Sequence, residues 1–495
     1  MSEALHQLIK SLSQTEKAYI KKFAHKLNSV KREHYYKLFD TIDKQELYNE
    51  RLVLKKVPQI NSSKQLATAK NYLHNLILDC LCNYHRKNSV RAQVHQQLEQ
   101  IEILCRKQLY KQALKITTKA KKTASKYELF PYLMQLQDWE EEILRVYSGR
   151  KTLRNYNILG FEQEFKTIEQ WKNYRQYRQI TNKFFAFEMK QALYRNTEEQ
   201  EALKQLIPLL KSSKQVLSNL AQSMRYYALS YAASLEQDGT GYEAEKAHLE
   251  LLKQENDYRQ LYPMRYICVL SNLSGDEAIN NHEAEGIRYL EMLEEVVPNS
   301  FEEAQFKETV AVTGWLFLYA MTKTSTQHLD QIEILAQRFQ KIPQLKHTLD
   351  YDQFMYLMAF NYFVAKDYPK VLQWYETYNQ MVSKEPSLEY SISIRLLSIV
   401  SNYELGQDFF VNYQGDSTYR YIRKQGELYK KESALVLFLK RMVNLPERSA
   451  KMVHFQQFKQ DIESIENDKT TNYGLFNPMD WVNDKIVEYS TSSLS

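Results

Sequence analysis

The first 148 residues contain no glycine, and only Pro58 and Pro131 interrupt them. Glycine and proline are the residues that most readily end a helix, so almost nothing in this stretch stops one from starting or continuing. The whole chain keeps this bias, with 11 Gly and 10 Pro in 495 residues, while 37 Tyr and abundant Leu, Lys, Gln and Glu supply helix formers and large packing groups. The prediction is an all-α protein. Phosphate-cradling loops, nucleophile elbows and dinucleotide turns need glycine where the backbone turns tightly or approaches a ligand, so the same scarcity disfavours them. No H-E-x-x-H, P-loop or G-x-S-x-G motif occurs. No catalytic residue, cofactor or metal is assigned, and a non-enzymatic chain is expected.

A chain of this length exceeds one compact core unless repetition lets the core grow in one direction. Hydrophobic residues at 43% and charged residues at 25% are a globular composition. The N-terminus, Met1 to Lys17, has charges every few positions and no continuous apolar run, so secretion is not expected. The longest apolar stretch, Val310 to Met321, is too short to span a bilayer, which needs about 20 residues, and predicts a buried core helix. Cys80, Cys82, Cys105 and Cys268 form neither a disulfide framework nor a zinc spacing. Reduced thiols and a cytoplasmic protein without membrane contact are the expectation.

Charge is unevenly placed. Residues 1–130 carry 25 Lys+Arg against 11 Asp+Glu, and the remainder carries 41 against 49. This points either to an acidic partner for the first part or to docking between the two parts.

A capping box at Ser13 to Glu16, apolar spacing at Tyr35, Leu38, Phe39 and Ile42, and a second capping box at Ser62 and Gln65 opening a helix to about Tyr84 define a basic helical N-terminal module, residues 1–90. From about residue 94 the pattern becomes paired helices joined by short turns, the organisation of an α-solenoid. The segment Ile101, Leu104, Tyr110, Ala113, Ala120 resembles a tetratricopeptide unit, in which small residues let two helices approach closely. Met358, Ala359, Tyr362, Tyr368, Val371 and Tyr375 give a second match. Leu396, Ile399, Tyr403, Gly406 and Phe409 give a weaker third, with Asn412 where the family usually has Ala. Looser pairs lie around 222–256, 264–297 and 304–340. The resemblance implies a divergent tetratricopeptide-like repeat array over residues 91–425. Capping helices are expected over 426–489 and a tail over 490–495.

Lys111, Lys115, Lys119, Lys122 and Lys126, spaced by four, four, three and four, place five ammonium groups on one helix face, a surface for an acidic partner or for phosphates. Tyr84, Tyr110 and Tyr127 lie near it in sequence and are read as packing groups. Gly239, Gly241 and Ala244 spell G-x-G-x-x-A, but a helical segment precedes them where the dinucleotide fingerprint needs a strand. Glu3 with His6 and Glu245 with His248 form two E-x-x-H pairs, read as surface pairs, with Glu3 in a fraying segment. His282, Glu283 and Glu285 are read as an exposed helix entrance, and the five tryptophans as core. Glu291, Glu294, Glu295, Glu302 and Glu303 form an acidic cluster facing a basic peptide or the basic N-terminal part.

The resemblance implies a scaffold or adaptor binding a protein or peptide on a helical-repeat surface. The alternative is a nucleic-acid-associated regulator whose residues 1–130 contact DNA or RNA. The sequence leaves the oligomeric state open.

Overall fold

The computed structural model describes residues 2–23, 29–57, 60, 62–86, 89–147, 150–188, 197–212, 215–236, 240–254, 261–342, 349–381, 387–424, 429–445, 448–465 and 476–491. Among the described residues every regular element is a helix and no strand occurs. The chain divides into two compact units, residues 1–167 and 168–495.

The first unit holds α1 (Ser2–Ser11), α2 (Gln14–Phe23), α3 (Ser29–Asp43), α4 (Glu50–Lys56), α5 (Ser63–His85), α6 (Val90–Arg106), α7 (Tyr110–Lys126), α8 (Phe130–Tyr147) and the opening of α9 (Arg150–Glu188). The second holds the rest of α9, then α10 (Thr197–Lys204), α11 (Ile207–Lys211), α12 (Asn219–Glu236), α13 (Thr240–Gln254), α14 (Pro263–Ile279) and α15 (Glu283–Glu294). It continues through α16 (Phe301–Met321), a 3₁₀ turn Ser325–His328, α17 (Leu329–Gln340), α18 (Leu349–Val364), α19 (Tyr368–Met381) and α20 (Leu388–Glu404). α21 (Asp408–Arg423), α22 (Lys430–Met442), α23 (Arg448–Ser464) and α24 (Pro478–Thr491) complete it.

The helix starts follow local chemistry. The Ser13 amide donates to Glu16 Oε2 at 2.7 Å and the Glu16 amide donates to Ser13 Oγ at 3.2 Å, so both halves of the first capping box form. Ser62, Ser89 and Ser300 likewise accept backbone N–H bonds at the starts of α5, α6 and α16. On α5, Leu66, Lys70, Leu73, Ile77 and Cys80 recur every three or four residues and are all buried. They close a core with Leu5, Ile9, Leu38, Phe39 and Ile42 that lies wholly within the N-terminal helices. Lys70 sits inside this stripe because its ammonium donates to Glu50 Oε2 at 2.9 Å and to Tyr48 Oη at 3.2 Å. α1 does not present a loose end. Leu5 and Ile9 anchor it, and buried His6 bonds the Gln45 carbonyl through Nε2 at 3.0 Å.

Six turns repeat one geometry. Gln108, Glu128, Asn281, Lys323, Lys366 and Gly406 each take a positive φ between 49° and 67°. The next residue in each case donates its N–H to the carbonyl five residues back, at 2.8–3.0 Å. This is the six-to-one bond of a Schellman helix end. The helices on either side of each turn pack on each other, α6 with α7, α7 with α8, α14 with α15, α16 with α17, α18 with α19 and α20 with α21. After three of the turns the same register is buried, five, nine and twelve residues beyond the positive-φ position: Ala113, Thr117 and Ala120; Gly286, Leu290 and Leu293; Val411, Gly415 and Thr418.

Of the packing positions named from sequence, Ala113, Ala120 and Val371 fall in this register. Ala113, Ala120, Ala359 and Val371 are fully enclosed and Tyr362 nearly so, whereas Tyr110 and Tyr368 are only half-buried. The third match needs a correction. Phe409 is 74% exposed, and Val411, not Asn412, takes the enclosed position, because the turn at Gly406 sets the count from the φ-positive residue.

In the second unit α18 and α20 are buried on nearly every side; Phe354 through Phe360 is enclosed without a break. The cluster they form runs from Val312 to Val482, so Leu435, Leu439 and Met442 of α22 share a core with residues 312–422. Asn361 is a polar hub in it: Nδ2 donates to the carbonyls of Leu316 at 2.9 Å and Leu357 at 2.8 Å, and Oδ1 accepts from Ser325 Oγ at 2.9 Å. The expected core helix at Val310 to Met321 is the second half of α16.

Candidate functional site: two cationic helix faces

The lysine row stands as the spacing predicts. On α7 the small residues Ala113, Thr117, Ala120 and Ala124 are buried, which lets α6 and α8 approach closely. Lys111, Lys115, Lys119, Lys122 and Lys126 project from the opposite arc, about 80° wide at 3.6 residues per turn, and all five are exposed. No carboxylate pairs with Lys111, Lys115, Lys119 or Lys122 among the described residues, and with Leu114 and Thr118 these four line a shallow dish. Lys121, on the flank, is spent internally on Glu140 of α8. Lys126 lies over the Tyr127 ring, its ammonium 5.3 Å from the centroid.

The row opposes the stability of its own helix. Like charges at i,i+4 cost a few tenths of a kcal/mol each, about 0.2–0.5. The first turn of α7 has no acidic residue, and its N-cap, Leu109, makes no side-chain cap. Cations at the positive end of a helix dipole are unfavourable.

A second cationic face escaped the sequence reading. Over Lys172 to Phe187, α9 buries Asn173, Tyr174, Tyr177, Thr181, Phe184 and Phe187 along one arc. That arc is pinned. The Asn173 side chain donates to the Gln215 carbonyl at 2.9 Å and accepts from the Leu217 amide at 3.1 Å, and Thr181 Oγ1 donates to the Met224 carbonyl at 2.8 Å. The other half of the helix carries Lys172, Arg175, Gln176, Arg178, Gln179 and Asn182, which together line a surface depression, followed by exposed Lys183. From Gln170 to Phe187 there is no Asp or Glu. None of the four cations is ion-paired among the described residues. The signal available in sequence was that acid-free stretch, not an even spacing of lysines.

The surface reading of the second E-x-x-H pair is corrected by burial, while in the first Glu3 is exposed and His6 buried. Glu245 is 1% and His248 0% exposed, both on the face of α13 that meets α12 and α14. Their neighbours explain why: Ala244, Leu249 and Leu252 belong to the same buried stripe. Arg265 Nη1 donates to Ser223 Oγ at 3.3 Å, and the Ser223 hydroxyl is hydrogen-bonded to His248 Nε2 at 2.8 Å. The Tyr227 and His248 rings stand nearly perpendicular, their centroids 4.6 Å apart. Burial, reinforced by the Arg265 charge, lowers the His248 pKa to about 3. Burial raises Glu245 to about 7 even though Asn272 Nδ2 donates to its Oε1 at 2.7 Å. A serine–histidine pair with both residues fully enclosed reaches no substrate, and it ties α12, α13 and α14 together.

The other sequence features take structural roles. Gly241 and Ala244 lie in α13, where a Cβ on Gly241 would come within 2.5 Å of the Ala233 Cβ; Gly239 lies outside the described residues. His282 is exposed ahead of α15 and bonds Glu277 Oε2 through Nδ1 at 2.9 Å. In the acidic cluster, Glu294 pairs with Arg338 at 2.8 Å and Glu303 Oε2 accepts the Asn299 amide at 2.6 Å, leaving Glu291, Glu295 and Glu302 for solvent. Trp481 is buried with its indole N–H on Glu404 Oε1 at 2.6 Å, and the other four tryptophans are half-buried. Cys80 is buried and Cys82 exposed, two faces of one helix.

Among the described residues no cluster of three His, Cys, Asp or Glu side chains is placed to hold a metal ion, and no helix is long and apolar enough to cross a membrane. Comparison with protein-family models, curated proteins and solved structures finds no match to this chain.

Proposed function

We propose that the chain is a non-enzymatic helical-repeat scaffold, tetratricopeptide-like over residues 91–425, that holds an acidic protein or peptide against the lysine face of α7. Residues 1–90 form its N-terminal module and 426–489 cap the array. The observation that carries the repeat assignment is the recurrence of one turn, with one hydrogen-bond pattern, between six pairs of packed helices. Stacked helix pairs generate extended surfaces for peptides or partner domains at little topological cost. What supports the acidic partner is the α7 row: four unpaired lysines held on a helix that they destabilise.

The test is titration of a labelled 20-residue peptide, with Glu at every third or fourth position, against the full chain and against the variant Lys111→Gln/Lys115→Gln/Lys119→Gln/Lys122→Gln. Salt-sensitive binding that the variant loses supports the assignment. Equal binding by both proteins, or none at low salt, removes it. The competing assignment of nucleic acid to residues 1–130 rests on the excess of cations there together with the same lysines; labelled DNA and RNA titrated in parallel decide it.

A further inference from the structure

We infer that the exposed half of α9, from Lys172 to Lys183, is a binding site for double-stranded DNA, placed in the major groove. This does not depend on the α7 assignment.

The face differs from an ordinary solvated helix face, which mixes both signs of charge. Four cations, Lys172, Arg175, Arg178 and Lys183, share it with no carboxylate, and three amides, Gln176, Gln179 and Asn182, stand among them. These are the side-chain types that major-groove recognition uses: Arg and Lys for guanine and phosphate, Gln and Asn for the adenine edge. Aspartate and glutamate, which the phosphate backbone repels, are the types missing.

The geometry fits the same ligand. Lys172 to Lys183 spans about 16 Å at 1.5 Å per residue, so the cations reach several phosphates along the groove. A helix of about 10–12 Å diameter enters a B-DNA major groove about 12 Å wide, while the major groove of an RNA duplex is too narrow to be read by side chains. The buried arc is fixed by hydrogen bonds from Asn173 and Thr181 to backbone on other segments, so the face is presented without having to be ordered on binding. Arg175 is also steadied, its guanidinium 5.6 Å from the Trp171 ring.

The experiment is fluorescence anisotropy of a labelled mixed-sequence 20-bp DNA duplex against the full-length protein between 50 and 200 mM KCl. A single strand of the same sequence and an RNA duplex run in parallel. Three variants are compared: Lys172→Gln/Arg175→Gln/Arg178→Gln/Lys183→Gln, Gln176→Ala/Gln179→Ala/Asn182→Ala, and the four-lysine α7 variant used with the peptide. All changed residues are solvent-exposed, and circular dichroism checks that each variant keeps its helix content. Each phosphate neutralised contributes about 0.9 to the slope of log K against log salt, so the charge variant is expected to flatten the slope by about 3 to 4 and to weaken binding at least about tenfold. The amide variant is expected to keep the slope and to narrow discrimination between A·T-rich and G·C-rich duplexes. The α7 variant is expected to bind DNA as the parent does. No binding of the parent at 50 mM salt overturns the inference. So do tighter binding to the single strand or RNA duplex, an unchanged slope in the charge variant, unchanged discrimination in the amide variant, or loss of DNA binding in the α7 variant.

Discussion

Replacing Gln108 by glycine should stabilise the first unit, and replacing Gly406 by alanine should destabilise the second by a similar amount. Both occupy the φ-positive position of the recurring turn, at 60° and 67°. At neither is there a competing contact: the Gln108 side chain is exposed without a partner, and a Cβ on Gly406 would meet nothing within 4 Å. The free-energy change is therefore a backbone quantity. An ordinary residue in the left-handed region costs about 1–2 kcal/mol. Glycine gives back about 0.5–1 kcal/mol through its greater freedom when unfolded. The difference leaves Gln108→Gly more stable by about 0.5–1 kcal/mol and Gly406→Ala less stable by as much. Urea unfolding followed by far-UV circular dichroism reads this as opposite shifts in midpoint at unchanged m. Asn281→Gly should gain least, because asparagine enters this region most easily of the non-glycine residues. A lowered midpoint for Gln108→Gly together with no effect of Gly406→Ala would refute the reasoning.

Two other outcomes follow from the electrostatics. Between pH 4.5 and about 7 the folded chain keeps a proton on Glu245 that the unfolded chain has released, so this group makes stability fall as pH rises. Between about pH 3 and 6.5 the unfolded chain protonates His248 while the folded chain does not, so this group makes stability rise with pH. Glu245→Gln removes the falling limb alone, and its stability relative to the parent should climb by about 3 kcal/mol from pH 4.5 to 7, at about 1.4 kcal/mol per pH unit; parallel profiles in urea melts would count against it. Lys111→Glu, in the first turn of α7, should raise the stability of the first unit by about 0.5 kcal/mol through the helix dipole and its pairing with Lys115, while weakening the acidic peptide. A fall in stability would mean that the row is not under the strain assigned to it.

The helices, their caps and the α7 row were legible because each depends on short-range spacing: Ser13 with Glu16, Leu66 through Cys80 on α5, lysines three and four apart. The repeating turn was not, since the cue for a left-handed helix end is glycine and five of its six positions hold Gln, Glu, Asn or Lys. In the third repeat, where Gly406 does supply that cue, the count ran one residue long, with Asn412 placed where the turn puts Val411. Glu245 and His248 look like surface residues by type, and only partners from other helices, Asn272 and Ser223, make their burial tolerable. The α9 face was hidden because its cations are diluted by Tyr, Thr and Phe, and which of these face inward depends on Gln215, Leu217 and Met224, some 40 residues downstream.

The turn bears on how the chain comes to be folded. Each Schellman bond closes over only six residues, and the helices it joins are packing partners, so most pairings connect segments that are neighbours along the chain. Such topologies have little loop entropy to overcome before contacts form, and they fold rapidly. On the ribosome the α6–α7 pair can close while most of the second unit is still to be synthesised. The aggregation-prone interval in which long apolar helices such as α18 stand uncovered is then limited to the synthesis of the next helix or two.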